Sequence, residues 1–305
     1  MMLTVGFVGS QGRRLLTLAD INQPSLGDPD TAQRRRPYSE FPNFGIINQI
    51  ETNGTSNYNS LQATLRIKSW HGLTSQFAYT WAHALDEMSY YRGALPQDSF
   101  HLKADYGNSD FDTRHNLSAL VSYALPAHSG GPRWLLNGWR LSTLVSFHSG
   151  QPFSVLTGSD NSGTNENEQR VNRVGDPFAN VSHTMASVDG FKHVQWINSA
   201  AFALPTPGTF GTMRRNQLHA PGFQDVDFSV LKNFRMSQRL TLQFRAEMYN
   251  LLNRINLAPP INAFNGPNAQ DGFGVSFDTI GDAFGAPGIG PGEPFNVQFA
   301  LKLTF

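Results

Sequence analysis

The most persistent pattern along the chain repeats every two residues. At its C-terminal end Phe295, Val297, Phe299, Leu301, Leu303 and Phe305 alternate with Asn296, Gln298, Ala300, Lys302 and Thr304. Successive side chains of an extended chain point to opposite faces, so this segment predicts a strand with one apolar and one polar or small face. Its length matches the roughly 9–11 residues that a tilted strand needs to cross a bilayer.

The same alternation recurs upstream. Leu61, Ala63, Leu65 and Ile67 alternate with Gln62, Thr64, Arg66 and Lys68. After a His71-Gly72 turn, Leu73, Ser75, Phe77, Tyr79 and Trp81 continue it, which predicts a tight hairpin. Further runs lie at 117–125, 139–148, 226–230 and 240–248, and Leu3, Val5 and Phe7 open the chain. These make eight predicted strands. Residues 45–51 read either as a ninth short strand or as loop. Helical periodicity at 81–86 and 248–253 is too short to specify a helix.

The connections fall into two classes. Those at 71–72, 126–137 and 233–238 are short; those at 9–56, 86–113, 158–222 and 253–294 are long. With 45–51 counted as loop, long and short alternate. Soluble domains seldom carry such long structureless loops. Outer-membrane barrels place short turns on the periplasmic side and long loops outside. The Asn- and Gly-rich stretch at 158–169 suits an exposed loop.

Periodicity alone leaves two architectures open. In a soluble sandwich the apolar face is the core; in a membrane barrel it meets lipid. Composition favours the barrel. Charged residues are 15% of the 305, against about 25% in ordinary soluble proteins. Lys and Glu, which protect soluble sheet edges, are sparse on the strands. Aromatics gather near strand ends at Tyr79, Trp81, Trp139, Phe147, Phe295 and Phe305, as in interfacial girdles.

Other classes lose ground on the same reading. Basic and acidic residues number 23 each, so the formal net charge is zero and no nucleic-acid footprint is expected. With no Cys there is no thiol nucleophile and no cysteine zinc site. The longest apolar run, Ala200 to Leu204, is far short of the roughly 18 residues of a spanning helix. The first residues show no signal-peptide pattern. The nine His residues make no H-E-x-x-H spacing, and His101 and His183 carry little weight as iron ligands. The segment 160–163 lacks the ligand spacing of a calcium loop, and 288–292 fits no phosphate-binding pattern. No catalytic constellation, cofactor or metal is expected. Arg34, Arg35 and Arg36 read as a solvated loop.

The blocks carry a family resemblance. The hairpin at 56–87, SNYNSLQATLRIKSWHGLTSQFAYTWAHALDE, resembles one from TonB-dependent outer-membrane receptors, particularly the Oar-like group with a carboxypeptidase-regulatory-like domain. DFDTRHNLSALVSYALP and NGWRLSTLVSFHSGQPFSV resemble the strands that follow. Residues 223–256 resemble the penultimate hairpin, and FNVQFALKLTF resembles the terminal strand. The resemblance covers nearly the whole chain in order. It implies an all-β, antiparallel transmembrane β-barrel segment: about eight strands of a 22-stranded barrel with long extracellular loops, in the bacterial outer membrane. The family's signal peptide, TonB box, plug and earlier strands have no counterpart in these residues. Residues 1–305 are therefore expected to be the C-terminal part of the barrel domain, not transport-competent alone. The alternatives are a self-contained small barrel with a structural or adhesive role, or a soluble carbohydrate-binding sandwich.

The resemblance also assigns roles. Phe299, Leu301, Leu303 and Phe305 would be read by the barrel-assembly machinery. Arg66, Lys68, Arg140, Arg245, Glu247 and Lys302 lie on polar strand faces and would line the lumen. The expected partners are outer-membrane lipid, the assembly machinery, and TonB only through the absent N-terminal part. The substrate stays open.

Overall fold

The computed structural model describes residues 1–90, 95–166, 168–188, 191–266, 272–280 and 294–305. Eight strands form one continuous antiparallel sheet in chain order: β1 (Met2–Asp20), β2 (Asn48–Trp70), β3 (Leu73–Asp86), β4 (His115–Ala124), β5 (Trp139–His148), β6 (Phe223–Arg235), β7 (Thr241–Tyr249) and β8 (Asn296–Thr304). A two-residue strand, Gly107–Asn108, adds to β3. Among the described residues β1 and β8 each pair on one side only.

Register carries the alternation across the whole sheet. Phe7 lies opposite Leu61, which lies opposite Trp81. Tyr79 faces Leu117, which faces Phe147. Val145 faces Val226, Phe228 faces Met248, and Met248 faces Val297. A one-residue slip at any pair would turn that strand's apolar set onto the other face, so the shared pattern fixes the register. The opposite face carries rows such as Thr64, Ala78, Ser118 and Ser146.

Consecutive antiparallel pairing places all four long connections (21–47, 87–114, 149–222 and 250–295) at one end of the sheet. The short ones (71–72, 125–138 and 236–240) lie at the other. In the tightest turn His71 and Gly72 both have positive φ, the backbone that matches strand twist in a two-residue hairpin. A Cβ on Gly72 would also sit 2.5 Å from the Ala124 carbonyl oxygen, so only glycine fits there.

The first hairpin departs from the sequence reading. β1 extends through Asp20 and β2 begins at Asn48, so residues 45–51 belong largely to β2 and the loop shrinks to 21–47. The 23 residues of β2 span about 75 Å at ~3.3 Å per residue, well beyond a bilayer core of about 30 Å. Many of the added pairs, among them Gln11 with Asn57 and Ser10 with Tyr58, are polar, and the apolar pair Leu18 with Ile50 stands beyond two register shifts. With neither face meeting lipid, this part of the hairpin has no apolar alternation to announce it. The 81–86 segment is the end of β3 rather than a helix turn.

The buried core lies outside the sheet. Val155, Val171, Ile197, Phe202, Phe264 and Phe273 cluster within the loops 149–222 and 250–295. Phe264 packs edge-on against Phe273 at 5.0 Å. These long loops form a packed cap over one end of the sheet. The sequence predicts an exposed loop at 158–169, but Ser162, Thr164, Glu166 and Gln169 are buried. Gln169 links this segment internally: its side-chain amide donates to Asp160 at 2.5 Å and its oxygen accepts from the Ser162 amide at 2.8 Å. Residues 288–292 lie outside the described residues.

Candidate functional site

Two sets of residues bear on function: the sheet's two faces and the cap. On the sheet, the terminal strand places Phe299, Leu301 and Leu303 on the apolar face, exposed, with Phe305 just beyond the strand. β8 pairs with β7 on one edge, and its Phe299 ring stacks on Phe244 at 6.1 Å.

The six charged strand residues lie on the face opposite the apolar rows. Arg140, Leu231, Arg245 and Ala300 follow one another across β5 to β8. Arg245 reaches Glu247 at 3.5 Å and donates to the Gln243 side chain at 3.0 Å. Lys302 lies opposite Gln243, and Arg66 opposite both Met2 and Gln76. Lys68 sits at the irregularity between Ile67 and Trp70. The strands therefore bring Arg245 and Glu247 together; the other four are distributed along the face.

One cation occupies the apolar row. Lys232 lies opposite Trp139 and Phe244 at the short-turn end. Its ammonium sits 4.9 Å from the Trp139 ring centre and 5.1 Å from that of Phe234, and donates to the carbonyls of Leu135 and Asn137. An amphipathic side chain with its head held among aromatics and carbonyls is the arrangement found at a membrane interface.

The decisive comparison concerns the sheet as a whole. It is antiparallel, one face is predominantly apolar and leaves Phe7, Leu61, Phe77, Phe299 and Leu301 exposed, and the profile of the outer membrane beta barrel domain family matches residues 1–286. The chain belongs to this family. This outer-membrane barrel domain therefore resides in the bacterial outer membrane, and the soluble-sandwich alternative falls. No curated protein and no solved structure matches the chain.

The cap of the barrel domain holds sites that the sequence pattern misses. Arg36, read as solvated, is buried beside Asp20 at 3.7 Å and donates to the Asn22 carbonyl at 2.8 Å. Arg35 donates to the carbonyls of Asp28 and Gly163, tying the first long loop to the third. Glu166 is buried in this same neighbourhood. Burial, and after it the nearby Asp20 carboxylate, pushes its pKa up to about 8, although Arg36 opposes the rise.

A second charged centre lies where three long loops meet. Arg215 donates to Asp86 at 2.7 Å, to Asp110 at 3.0 Å and to the Ser89 hydroxyl at 2.9 Å. Arg170 donates to Asp105 at 2.6 Å and to the Met213 carbonyl at 3.0 Å, while its amide donates to the Gln97 side chain at 2.8 Å. Between them lies a cavity of about 280 Å³ that also takes in Glu168, Tyr90, Phe153 and Asn262. These contacts join residues 43 to 129 positions apart, so no local motif announces them. Among the described residues no group of three or more His, Asp or Glu side chains is placed to hold a metal ion. His101 pairs with Asp98 at 2.8 Å, and His183 stacks on Trp196 at 4.2 Å.

Proposed function

We propose that this barrel domain forms part of the wall of a TonB-dependent receptor of the Oar-like group, associated with nutrient uptake. The observation that carries the reading is the order of the resembling blocks. They fall in order on the strands of one meander whose long loops gather into a cap at a single end. The edges of β1 and β8, which do not pair with each other, suit a section of a wider barrel. An open edge in lipid leaves backbone groups unsatisfied at several kcal/mol each, so neighbouring strands would complete the wall.

In this reading lipid covers the apolar face. Arg66, Lys68, Arg140, Arg245, Glu247 and Lys302 face the water-filled interior as its general charge lining. The barrel-assembly machinery recognises the terminal strand through Phe299, Leu301, Leu303 and Phe305, by adding a strand to its edge. TonB acts through a plug portion that these strands do not supply, so energised uptake belongs to the whole receptor. The chain acts as a wall and a binding surface, not as an enzyme, and it uses no cofactor and no nucleic acid.

The DNA preceding the Met1 codon tests the receptor reading. A frame encoding a plug and earlier strands is the expected result. Insertion of these 305 residues alone as a closed, heat-modifiable barrel would contradict it. The assembly role has its own test in the complete receptor. Phe305→Asp is expected to lower the heat-modifiable barrel in the outer membrane several-fold, and an unchanged level would contradict that role.

A further inference from the structure

The two ends of the sheet differ in charge. Segments 52–85, 113–159, 228–246 and 294–305 contain the short connections and the strand ends that flank them, and none of the four has an Asp or Glu. The same end carries Lys68, Arg133, Arg140, Arg235, Arg239 and Lys302, all exposed. Of these, Arg133 and Arg239 stand on the turns rather than on the interior-facing rows. Among the described residues neither guanidinium is in an ion pair.

Exposed apolar side chains sit beside this charge. Residues Arg133–Leu136 form a single helical turn on which Trp134, Leu135 and Leu136 are all exposed. Trp70 and Met236 are exposed at the other two short connections. The helical turn is folded against the apolar side of the sheet. The Leu135 carbonyl accepts from the Trp139 indole N–H at 2.7 Å and from the Lys232 ammonium at 2.9 Å, and both residues stand in the apolar rows. The Asn137 side chain closes the same connection, accepting from the His128 amide at 2.6 Å and donating to the His128 carbonyl at 3.2 Å.

We infer that this rim is a docking surface for anionic phospholipid headgroups of the periplasmic leaflet, the side on which such barrels place their short turns. Trp134, Leu135 and Leu136 enter the boundary between headgroups and acyl chains, where aromatic and apolar groups settle. Arg133 and Arg239 meet the lipid phosphates, which suit the forked donors of a guanidinium. Lys232, its ammonium already held by the Leu135 and Asn137 carbonyls, positions the turn rather than binding the lipid. A zwitterionic headgroup would bring its own cation to a rim with no carboxylate side chain to receive it. An acidic protein would find the same charge, but the exposed apolar groups continue the lipid-covered face and so fit a membrane. The inference rests on lipid covering that face and is independent of uptake.

The test uses the barrel as cells assemble it, purified from the outer membrane and reconstituted in phosphatidylcholine vesicles. Trace spin-labelled phosphatidylglycerol or phosphatidylcholine is added, and the fraction of each that the protein immobilises gives the relative affinity. Phosphatidylglycerol is expected to be preferred about fivefold at low salt, the scale of one cation near a lipid surface. High salt should weaken the preference. The double variant Arg133→Gln/Arg239→Gln is expected to lose it, whereas Arg133→Lys/Arg239→Lys, which keeps the charges, should retain it. Equal immobilisation of the two lipids by the parent, or an undiminished preference in a folded, heat-modifiable glutamine variant, would overturn the assignment. Equal immobilisation together with binding of polyglutamate would give the rim to an acidic protein instead. No immobilised lipid of either kind would overturn the lipid-covered face as well.

Discussion

The sheet and the cap handle their side chains in opposite ways. On the sheet, large apolar groups stand uncovered: Phe299 is 69% exposed and Leu301 71%. In the cap, polar groups are sealed off: Asp20 and Ser162 are wholly buried, beside a core in which Phe264 is wholly buried too. A water-soluble protein could not keep so large an apolar surface open. In lipid that surface needs no partner, and stability comes from the continuous backbone hydrogen-bond ladder. The cap lies beyond the lipid and must behave as a soluble domain. It buries a small aromatic core and ties polar groups together through loop-to-loop bonds such as Arg35 to Gly163 and Arg170 to Asp105. One chain is thus folded by two solvents, and the boundary lies near the loop ends of the strands.

That contrast can be broken from either side. The largest effect is expected in the cap core. Phe264→Ala should cost about 3–5 kcal/mol of cap stability. Hydrogen exchange should then rise across residues 149–222, while exchange in β4 and β5 stays slow. Next comes the apolar face. Val145→Arg, mid-strand between Ala119 and Val226, should cost about 2–4 kcal/mol in the bilayer. Ser146→Arg, one residue along on the other face, should cost far less. Equal losses in urea titrations of the two vesicle-embedded variants would erase the distinction between faces.

A smaller effect sharpens the comparison through pH. Glu166 has its folded pKa raised to about 8 from an ordinary 4.5, so the folded cap holds a proton that the unfolded chain has released. Its contribution is fully present below about pH 4.5 and is lost progressively as the pH rises through 8. The Gly27 amide donates to the Ser162 carbonyl across the two loops, and its exchange, corrected for intrinsic rate, should speed up over that window. Glu166→Gln should remove the dependence. The apolar rows of the strands, which hold no carboxylate, should show no such dependence.

The sequence discloses these two regions unequally, for physical reasons. Where a strand separates lipid from the other face, as at 61–67 or 295–305, its residues must alternate, and the pattern is legible. At 9–20 and 48–56 both faces lie beyond the bilayer, so the same backbone ladder leaves no pattern and the strands read as loop. The cap is harder still. Its buried groups include Asp, Gln and Arg, and Asn and Gly fill the segment at 158–169. The partners that make burial tolerable, such as Gln97 for Arg170, are distant in sequence.

The central claim is that one face of the sheet meets lipid and the other does not. Spin labels placed singly along β5 from Trp139 to His148 in bilayers test it most directly. The account predicts high oxygen accessibility at positions 141, 143, 145 and 147, and lower values at 142, 144 and 146, with a period of two. Uniform accessibility along the strand, or the opposite phase, would contradict it.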